Sequence, residues 1–332
     1  MRLPYACAIV LNWNRWQDTL ECLESLRHLD RHDVQVIVVD NGSTDRSCDE
    51  MLEWIRDRDE GSTDNSDKAR QEDGSTVLYA TTRFVAIETG ENRGYAAGNN
   101  VGIRWVLANT DSKYIWVLNN DCVVESGSVS AMMRVMEADR EAQICGATIR
   151  SYYERDRILM HGGAHLSHLT FHSTPIVLRA AERTQSVVRE RLSYVSGACM
   201  LIRRSLFEKI GLLSEDYFLF FEEPDLVERA GSDCRLAVAF DAIVYHKEGK
   251  ATGSVMATRL KSASADYYSF RSRLLFVSKF YPRRLWLAWL ELPIYAVARL
   301  VIGRPANTQA ILKAGKDYLR LRRSESPEES GV

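Results

Sequence analysis

Two short apolar runs end abruptly in acid. Val34-Gln35-Val36-Ile37-Val38-Val39 leads into Asp40-Asn41-Gly42-Ser43-Thr44-Asp45, and Tyr114-Ile115-Trp116-Val117-Leu118 leads into Asn119-Asn120-Asp121. Runs this rich in β-branched and apolar residues read as buried parallel strands. Open α/β sheets bind ligands just beyond the carboxyl ends of such strands. At that edge Asp40 offers oxygens that accept from hydroxyls or ring N–H groups. Asp121 offers a hard oxygen to Mg2+ or Mn2+, cations that take few ligands from protein and the rest from substrate phosphates and water. A third acid, Glu223, directly precedes Pro224 at the expected first position of a helix. The helix dipole there favours the ionised form that a general base requires. His246 ends the run Ala237–Tyr245, ahead of the basic stretch Lys247-Glu248-Gly249-Lys250. Carboxylates for a polar ligand at one end and for a cation on phosphates at the other outline a nucleotide-sugar site.

Each residue also has a plainer reading. Asp40 could cap the following helix, with Asp45 the more ordinary helix-end acid. Asn119-Asn120-Asp121 could be a polar turn, Glu223 a cap without chemistry, and His246 a satisfied strand end. Asp225 is a second candidate base, with support of Arg229 as its alternative. His161, His165, His168 and His172 lack regular ligand spacing, which argues against a metal among them. The chemical reading requires Asp40, Asp121 and Glu223 to converge on one cleft.

The intervening elements must deliver them there. A first strand, Cys7–Leu11, passes through the Asn12-Trp13-Asn14 loop to a helix with Leu20, Leu23, Leu26 and Leu29 on one face. Asp18 and Glu21 have the spacing of a capping box. After Asp40 a helix is expected to about Ile55, capped by Ser43 or Thr44. Residues 56–75 hold almost nothing apolar and read as a mobile surface insertion. Strands at 77–80 and 84–88 precede Glu91-Asn92-Arg93-Gly94-Tyr95-Ala96-Ala97-Gly98-Asn99-Asn100 and a helix with the face Ala97, Val101, Trp105 and Ala108. Val129, Met132, Met133 and Met136 mark a core helix face. The alternation of strand and helix predicts an α/β, doubly wound parallel sheet. From 144 to 200 the pattern turns to short strands and loops, 205–211 is a short capped helix, and from 262 the chain reads as helical and basic.

Bulk properties narrow the class. The 332 residues are 45% hydrophobic and 27% charged, enough for one large core or somewhat more. A net charge of −2 argues against broad nucleic-acid binding. Seven scattered cysteines without Cys-x-x-Cys spacing argue against a zinc motif and a disulfide framework, and for a reducing compartment. The chain enters its first strand with no signal-type start, so the expected location is cytoplasmic.

Taken in order, Val38-Val39-Asp40-Asn41-Gly42-Ser43-Thr44-Asp45, Glu91 to Asn100, Leu118-Asn119-Asn120-Asp121 and Phe220-Phe221-Glu222-Glu223-Pro224-Asp225-Leu226 resemble the family 2 glycosyltransferases of the GT-A fold, particularly the bacterial rhamnosyltransferase-like branch. Val195-Ser196-Gly197-Ala198-Cys199-Met200-Leu201-Ile202-Arg203 resembles the family's acceptor-side strand. The resemblance covers roughly residues 5–255. It implies a Rossmann-like, mostly parallel sheet with helices on both faces and a C-terminal helical extension. Residues 1–125 would be the nucleotide-sugar half, 126–255 the acceptor-binding and catalytic half, and 256–332 the helical region. It further implies that Asn14, Asp40, Asn92, Arg93, Asn99, Asn119, Asn120 and Lys250 serve the donor, that Asp121 and His246 serve a Mg2+ or Mn2+ ion, and that Glu223 or Asp225 is the base. Two departures stand out. Asn119 replaces the first acid of the family's Asp-x-Asp motif, and Glu223 replaces an Asp, extending the base by one methylene.

The implied activity is inverting transfer from a nucleotide sugar, with dTDP-rhamnose a candidate, to a surface polysaccharide or lipid-linked glycan. The departures leave a rival open, a binding subunit that holds nucleotide sugar or glycan without turnover. The apolar tail Leu285–Ile302, flanked by Arg283, Arg284 and Arg304, is interrupted by Glu291, Pro293 and Arg299, which argues against a membrane span. Residues 283–304 read either as a peripheral membrane contact or as a helical cap or homodimer face.

Overall fold

The computed structural model describes residues 4–59, 69–247 and 261–325. Lys250 and the centre of the presumed surface insertion, residues 60–68, lie outside these. The apolar runs do become buried strands. β1 (Ala6–Asn12), β2 (Val34–Asp40), β5 (Phe84–Glu88) and β6 (Tyr114–Asn119) lie side by side in parallel, in the order β5-β2-β1-β6. Every residue of β2 is buried, as a strand covered on both faces must be. The register pairs Asn12 with Asp40, Asp40 with Glu88, and Leu11 with Asn119. The polar tips of these strands therefore finish along one edge.

Side chains alternate between two cores. Ala6, Ala8 and Val10 pack with α1 (Trp16–Arg27), α2 (Ser47–Arg58) and α4 (Ser128–Ala138), where Leu23, Trp54, Met132, Met133 and Met136 are buried. Cys7 and Ile9 pack the other way, with Val101, Ile103 and Val106 of α3 (Tyr95–Asn109), Val188 of α5 (Gln185–Arg191) and Phe207 of α6 (Arg204–Ile210). Burying one such side chain contributes about 1.5–3 kcal/mol, so the two faces together hold the sheet between helices.

Beyond β6 the sheet departs from the purely parallel ladder that alternation suggests. β13 (Cys199–Arg203) runs antiparallel between β6 and β8 (Ala142–Ser151), and β14 (Arg235–His246) follows parallel to β8. β7 (Cys122–Val124) pairs antiparallel with the end of β14, and β9 (Ile158–His161) with β8. At the far edge β3 (Ala69–Arg70) and β4 (Thr76–Ala80) add antiparallel strands, so part of the expected insertion is sheet. In all, β1, β2, β3, β5, β6, β8 and β14 run one way, and β4, β7, β9 and β13 the other. β10 (Gly163–Leu166), β11 (Ser173–Pro175) and β12 (Tyr194–Val195) form a separate three-stranded sheet.

Several local expectations shift. Asp18 and Glu21 form no capping box, for Arg15 precedes α1 without a side-chain cap. The second helix starts at Ser47, not Ser43, because Ser43 is bonded to Asp40 instead. In α3 the buried stripe runs through Ile103 and Val106, while Trp105 is half-buried and Ala108 exposed. α7 (Glu222–Ala230) begins two residues before Pro224, which puts Glu223 inside its first turn.

The chain divides into two compact units. One comprises residues 1–166, 173–215 and 223–248, the other 167–172, 216–222 and 249–332. The second is built on α8 (Ala263–Phe280), α9 (Leu285–Val301) and α10 (Pro305–Glu325). Its core includes Phe270, Leu274, Phe276, Leu292, Ala296, Ile311 and Tyr318. Buried Asp266 joins the three helices, accepting from Arg299 at 2.7 and 3.1 Å and from Asn307 at 2.8 Å. Among the described residues, which include all seven cysteines, no disulfide forms.

Candidate functional site

The tips of β1 and β2 are held by a dense polar knot. Asp40 is buried; its Oδ1 accepts the Ser43 amide at 2.8 Å, and its Oδ2 accepts Asn12 Nδ2 at 2.8 Å and the Ser43 hydroxyl at 2.7 Å. Three donors fill most of a carboxylate's accepting capacity and leave room for one more. Asn14, with φ +51°, accepts the Thr44 amide on its Oδ1 at 2.8 Å and gives its own amide to Ser43 at 2.9 Å. Thr19 donates to Asn12 at 2.7 Å and accepts from Asn120 at 2.9 Å, joining this knot to the tip of β6.

The loop before α3 is tied to the same edge. Asn41 donates to Asn92 Oδ1 at 3.0 Å and to the Gly94 carbonyl at 3.1 Å. Arg93 is exposed and bonds Glu91 at 2.7 Å. A Cβ on Gly98 would lie 2.5 Å from Leu11 Cδ1 and 3.0 Å from the Asn41 side chain, so only glycine lets α3 come this close. Asn99, expected on the donor side, lies within α3. It is fully buried and its Nδ2 bonds the Tyr95 carbonyl at 2.9 Å, because its position on α3 turns it into the protein.

At the other end of the edge, Asp121 Oδ1 and His246 Nε2 lie 3.0 Å apart. They meet because β7 pairs with β14, putting Cys122 opposite His246, while the Lys247 amide bonds the Asp121 carbonyl at 3.1 Å. Asp121, Cys122 and His246 form a cluster of metal-ligand type, with donor atoms within 4.8 Å of one another. Burial pushes the Cys122 thiol well above its usual pKa, and a soft sulfur is a poor ligand for a hard ion. The remaining carboxylate oxygen and imidazole nitrogen fit a Mg2+ or Mn2+ that draws its other ligands from a diphosphate. Among the described residues that trio is the one such cluster; buried His161 spends Nδ1 on the Leu178 amide at 3.0 Å.

Lys247 locks this corner. Its ammonium sits 2.6 Å from Asp18 and 2.5 Å from Glu21, and 4.9 Å above the Tyr152 ring. Burial opposes its charge, yet the bonds to the two acids outweigh that and raise its pKa. Tyr152 in turn donates its amide to the His246 carbonyl at 3.0 Å.

Glu223 reaches the edge from α7. Its Oε1 accepts the Gly197 amide at 2.8 Å, and the Tyr95 hydroxyl donates to the Gly197 carbonyl at 2.8 Å. Burial raises the Glu223 pKa, with the Gly197 amide pulling the other way. Asp225, the alternative base, is fully buried and bonds Arg229 at 2.6 Å, whose other nitrogens go to the Ile210 and Leu212 carbonyls. Of its two expected readings, the ion pair is the one that support of Arg229 describes.

Residues adjacent to the three acids are hydrogen-bonded to one another. The Ala198 carbonyl accepts from the Asn119 amide at 3.1 Å and from Cys122 Sγ at 3.5 Å, flanking Asp121, and the neighbouring Gly197 holds Glu223. Tyr95 links Gly197 back to the loop that Asn41 ties to Asp40. Residues 7–211 match the sequence model of glycosyl transferase family 2. The chain belongs to that family.

Relatives of this family 2 chain include the low-salt glycan biosynthesis hexosyltransferase of Haloferax volcanii, 26% identical over 195 residues. That match covers 57% of this chain and 58% of the archaeal protein, so the chain spans under two thirds of it. The N-acetylglucosaminyl-diphospho-decaprenol L-rhamnosyltransferase of Mycobacterium tuberculosis is 28% identical over 233 residues, covering 64% of this chain and 72% of the relative. Among solved structures, a mannosyltransferase from Pyrobaculum calidifontis in complex with GDP-Man and Mn2+ superposes with a TM-score of 0.54 at 15% identity, covering 96% of this chain and 88% of that one. At that identity the likeness is one of fold, the GT-A fold.

Site residues of this family 2 chain that the sequence reading passed over are Asn12, Thr19, Tyr95, Gly197 and Lys247. Asn12 ends a strand just as Asp40 does, a signal available in the pattern. Lys247 and Tyr95 had no local signal, since their partners lie far along the chain.

Proposed function

We propose that this chain transfers a sugar, with inversion, from a nucleotide-sugar donor to a hydroxyl of a lipid-linked or surface glycan, aided by a divalent cation. The observation that supports the reading is that Glu223 is held by Gly197, next to Ala198, whose carbonyl accepts from Asn119 and Cys122 on either side of Asp121, while β1, β2 and β6 end in register at Asn12, Asp40 and Asn119. Asp40 and its loop hold the nucleoside, with the one accepting site left on the carboxylate. Asp121 and His246 would hold the cation, which when bound neutralises charge on the departing diphosphate. Glu223, ionised and oriented by Gly197, takes the proton of the acceptor hydroxyl as its oxygen attacks the anomeric carbon. One carboxylate in that role suffices for a single displacement, hence inversion. The mycobacterial relative's name supports L-rhamnose as the sugar and a diphospho-polyprenol glycan as acceptor; the Pyrobaculum complex supports Mn2+.

The test is release of nucleoside diphosphate from dTDP-rhamnose and a panel of other nucleotide sugars, with and without Mn2+, chelator and a lipid-linked acceptor. Metal-dependent release, stimulated by acceptor and lost in Glu223→Gln, is the expected result. Donor binding by thermal shift with no turnover for any donor would instead make the protein a nucleotide-sugar-binding subunit.

A further inference from the structure

Helix α9 wears its apolar residues on the outside. Trp286, Leu290, Ile294, Val297, Leu300, Val301 and Ile302 are each 54–79% exposed, while the opposite face buries Ala288, Leu292 and Ala296. Between Trp286 and Ile302 the remaining exposed residues are Pro293 and Ala298, so no polar side chain breaks the outer face. Steps of three and four residues from Trp286 to Val301 make this one continuous stripe about 25 Å long. Isolated surface apolar residues need no explanation, but a continuous stripe needs something to cover it.

The charges around the stripe indicate what that is. Arg283 and Arg284 stand exposed at one end and Arg304 closes the other. The one acid between 283 and 304, Glu291, is turned inward, 2.5 Å from Arg273 and 3.0 Å from His172. A second copy is a poor occupant, because both ends of the stripe are cationic. Pairing stripe on stripe sets arginine against arginine whichever way the helices run. A sheet of anionic headgroups over acyl chains satisfies both features at once. Among the described residues no helix is long and apolar enough to cross a membrane, which leaves the surface.

We propose that the outward face of α9 docks flat on an anionic lipid bilayer. The inference deepens the proposed transfer to a lipid-linked acceptor, which a surface-bound enzyme would meet in the plane of the membrane, but it is tested without that reaction.

The full-length protein is sedimented with vesicles of phosphatidylcholine alone and of phosphatidylcholine mixed with phosphatidylglycerol. Binding is expected only or mainly to the anionic vesicles, falling as salt rises. The Leu290→Gln/Ile294→Gln variant should bind them about tenfold or more weakly. Arg283→Gln/Arg284→Gln should lose most of the anionic preference and of the salt dependence. Both pairs are exposed, and unchanged melting confirms their fold. No binding to either vesicle overturns the proposal, and so does a dimer in light scattering that the Leu290→Gln/Ile294→Gln variant splits. Vesicle-free hydrolysis of a nucleotide sugar should proceed at the parent rate in both variants. A loss of vesicle binding with intact hydrolysis therefore concerns the docking face, and absent hydrolysis in the parent protein concerns the transferase reading.

Discussion

The main-chain amide of Gly197 bonds the carboxylate of Glu223 at 2.8 Å, and the space a side chain at 197 would need is already taken. A Cβ there would lie 2.6 Å from Glu223 Oε1 and 2.9 Å from the Tyr95 hydroxyl. The absence of a side chain is what lets base and phenol meet at one residue.

Gly197→Ala should therefore lower kcat by about tenfold to a hundredfold, within the range a misplaced general base forfeits. Donor affinity should stay close to the parent value, since Asp40 and its loop are untouched. Steady-state kinetics with titration calorimetry of the donor separate the two. A kcat within twofold of the parent would show, by the same base-placement argument, that Glu223 is not positioned here.

The acid limb of the pH–rate profile reports Glu223. A base works ionised, and burial raises its pKa above the ordinary carboxylate value of 4.5. Activity should then rise with pH through a midpoint above that value. Glu223→Gln should remove that limb and cost about 10²–10⁴ in kcat. A profile unchanged in shape would assign the limb to another group.

Asp121→Ala removes the only carboxylate beside His246 in the candidate metal cluster. Mn2+ binding, followed by electron paramagnetic resonance, should weaken at least about tenfold, because one of two protein ligands is gone. This readout needs no turnover. Parent-like Mn2+ affinity would move the metal elsewhere.

Lys247→Met strands Asp18 and Glu21, whose shared cation is only 7% exposed. Asp18 loses its cation at 14% exposure, whereas Glu21 is 40% exposed and keeps the Tyr152 hydroxyl, so a loss of about 1–2 kcal/mol in denaturant unfolding is expected. Adding Asp18→Asn and Glu21→Gln should recover part of it. A cost below about 0.5 kcal/mol would show that the cluster is merely solvated.

His161 gives the fold an acid sensitivity. Burial lowers its pKa from 6.5 to about 4, so the folded state holds it neutral. Between these values the unfolded chain binds the extra proton, and stability should fall as pH drops, by at most about 1.4 kcal/mol per unit. His161→Asn should flatten that segment of a pH–stability curve while lowering stability at neutral pH.

Much of the edge was legible because strands announce themselves by apolar runs and stop at polar tips. Asp40, Asn119 and Asp121 were found that way, and the register of β1, β2 and β6 makes their tips coincide. What escaped was whatever depends on a distant partner. Asp18 and Glu21 have capping-box spacing, yet the group they bind is Lys247, 229 and 226 residues further along the chain. The burial of Asn99 likewise depends on the rotation of α3, which the motif around it does not reveal. The antiparallel course of β13 also left no local trace, since an apolar strand carries no mark of its direction. Asp225 and Glu223 are two residues apart in near-identical surroundings of sequence. Arg229, one helical turn on, takes the first and leaves the second available.

The placement of β13 has a consequence for how the chain is made. Until Cys199–Arg203 emerge from the ribosome, β6 and β8 cannot be bridged, and each presents an open hydrogen-bonding edge. The nucleotide-side half can settle early, but the cradle for the base is completed only by a late, long-range closure, the slow kind of step in sheet assembly. Nascent chains halted before that segment should be the species most in need of a chaperone.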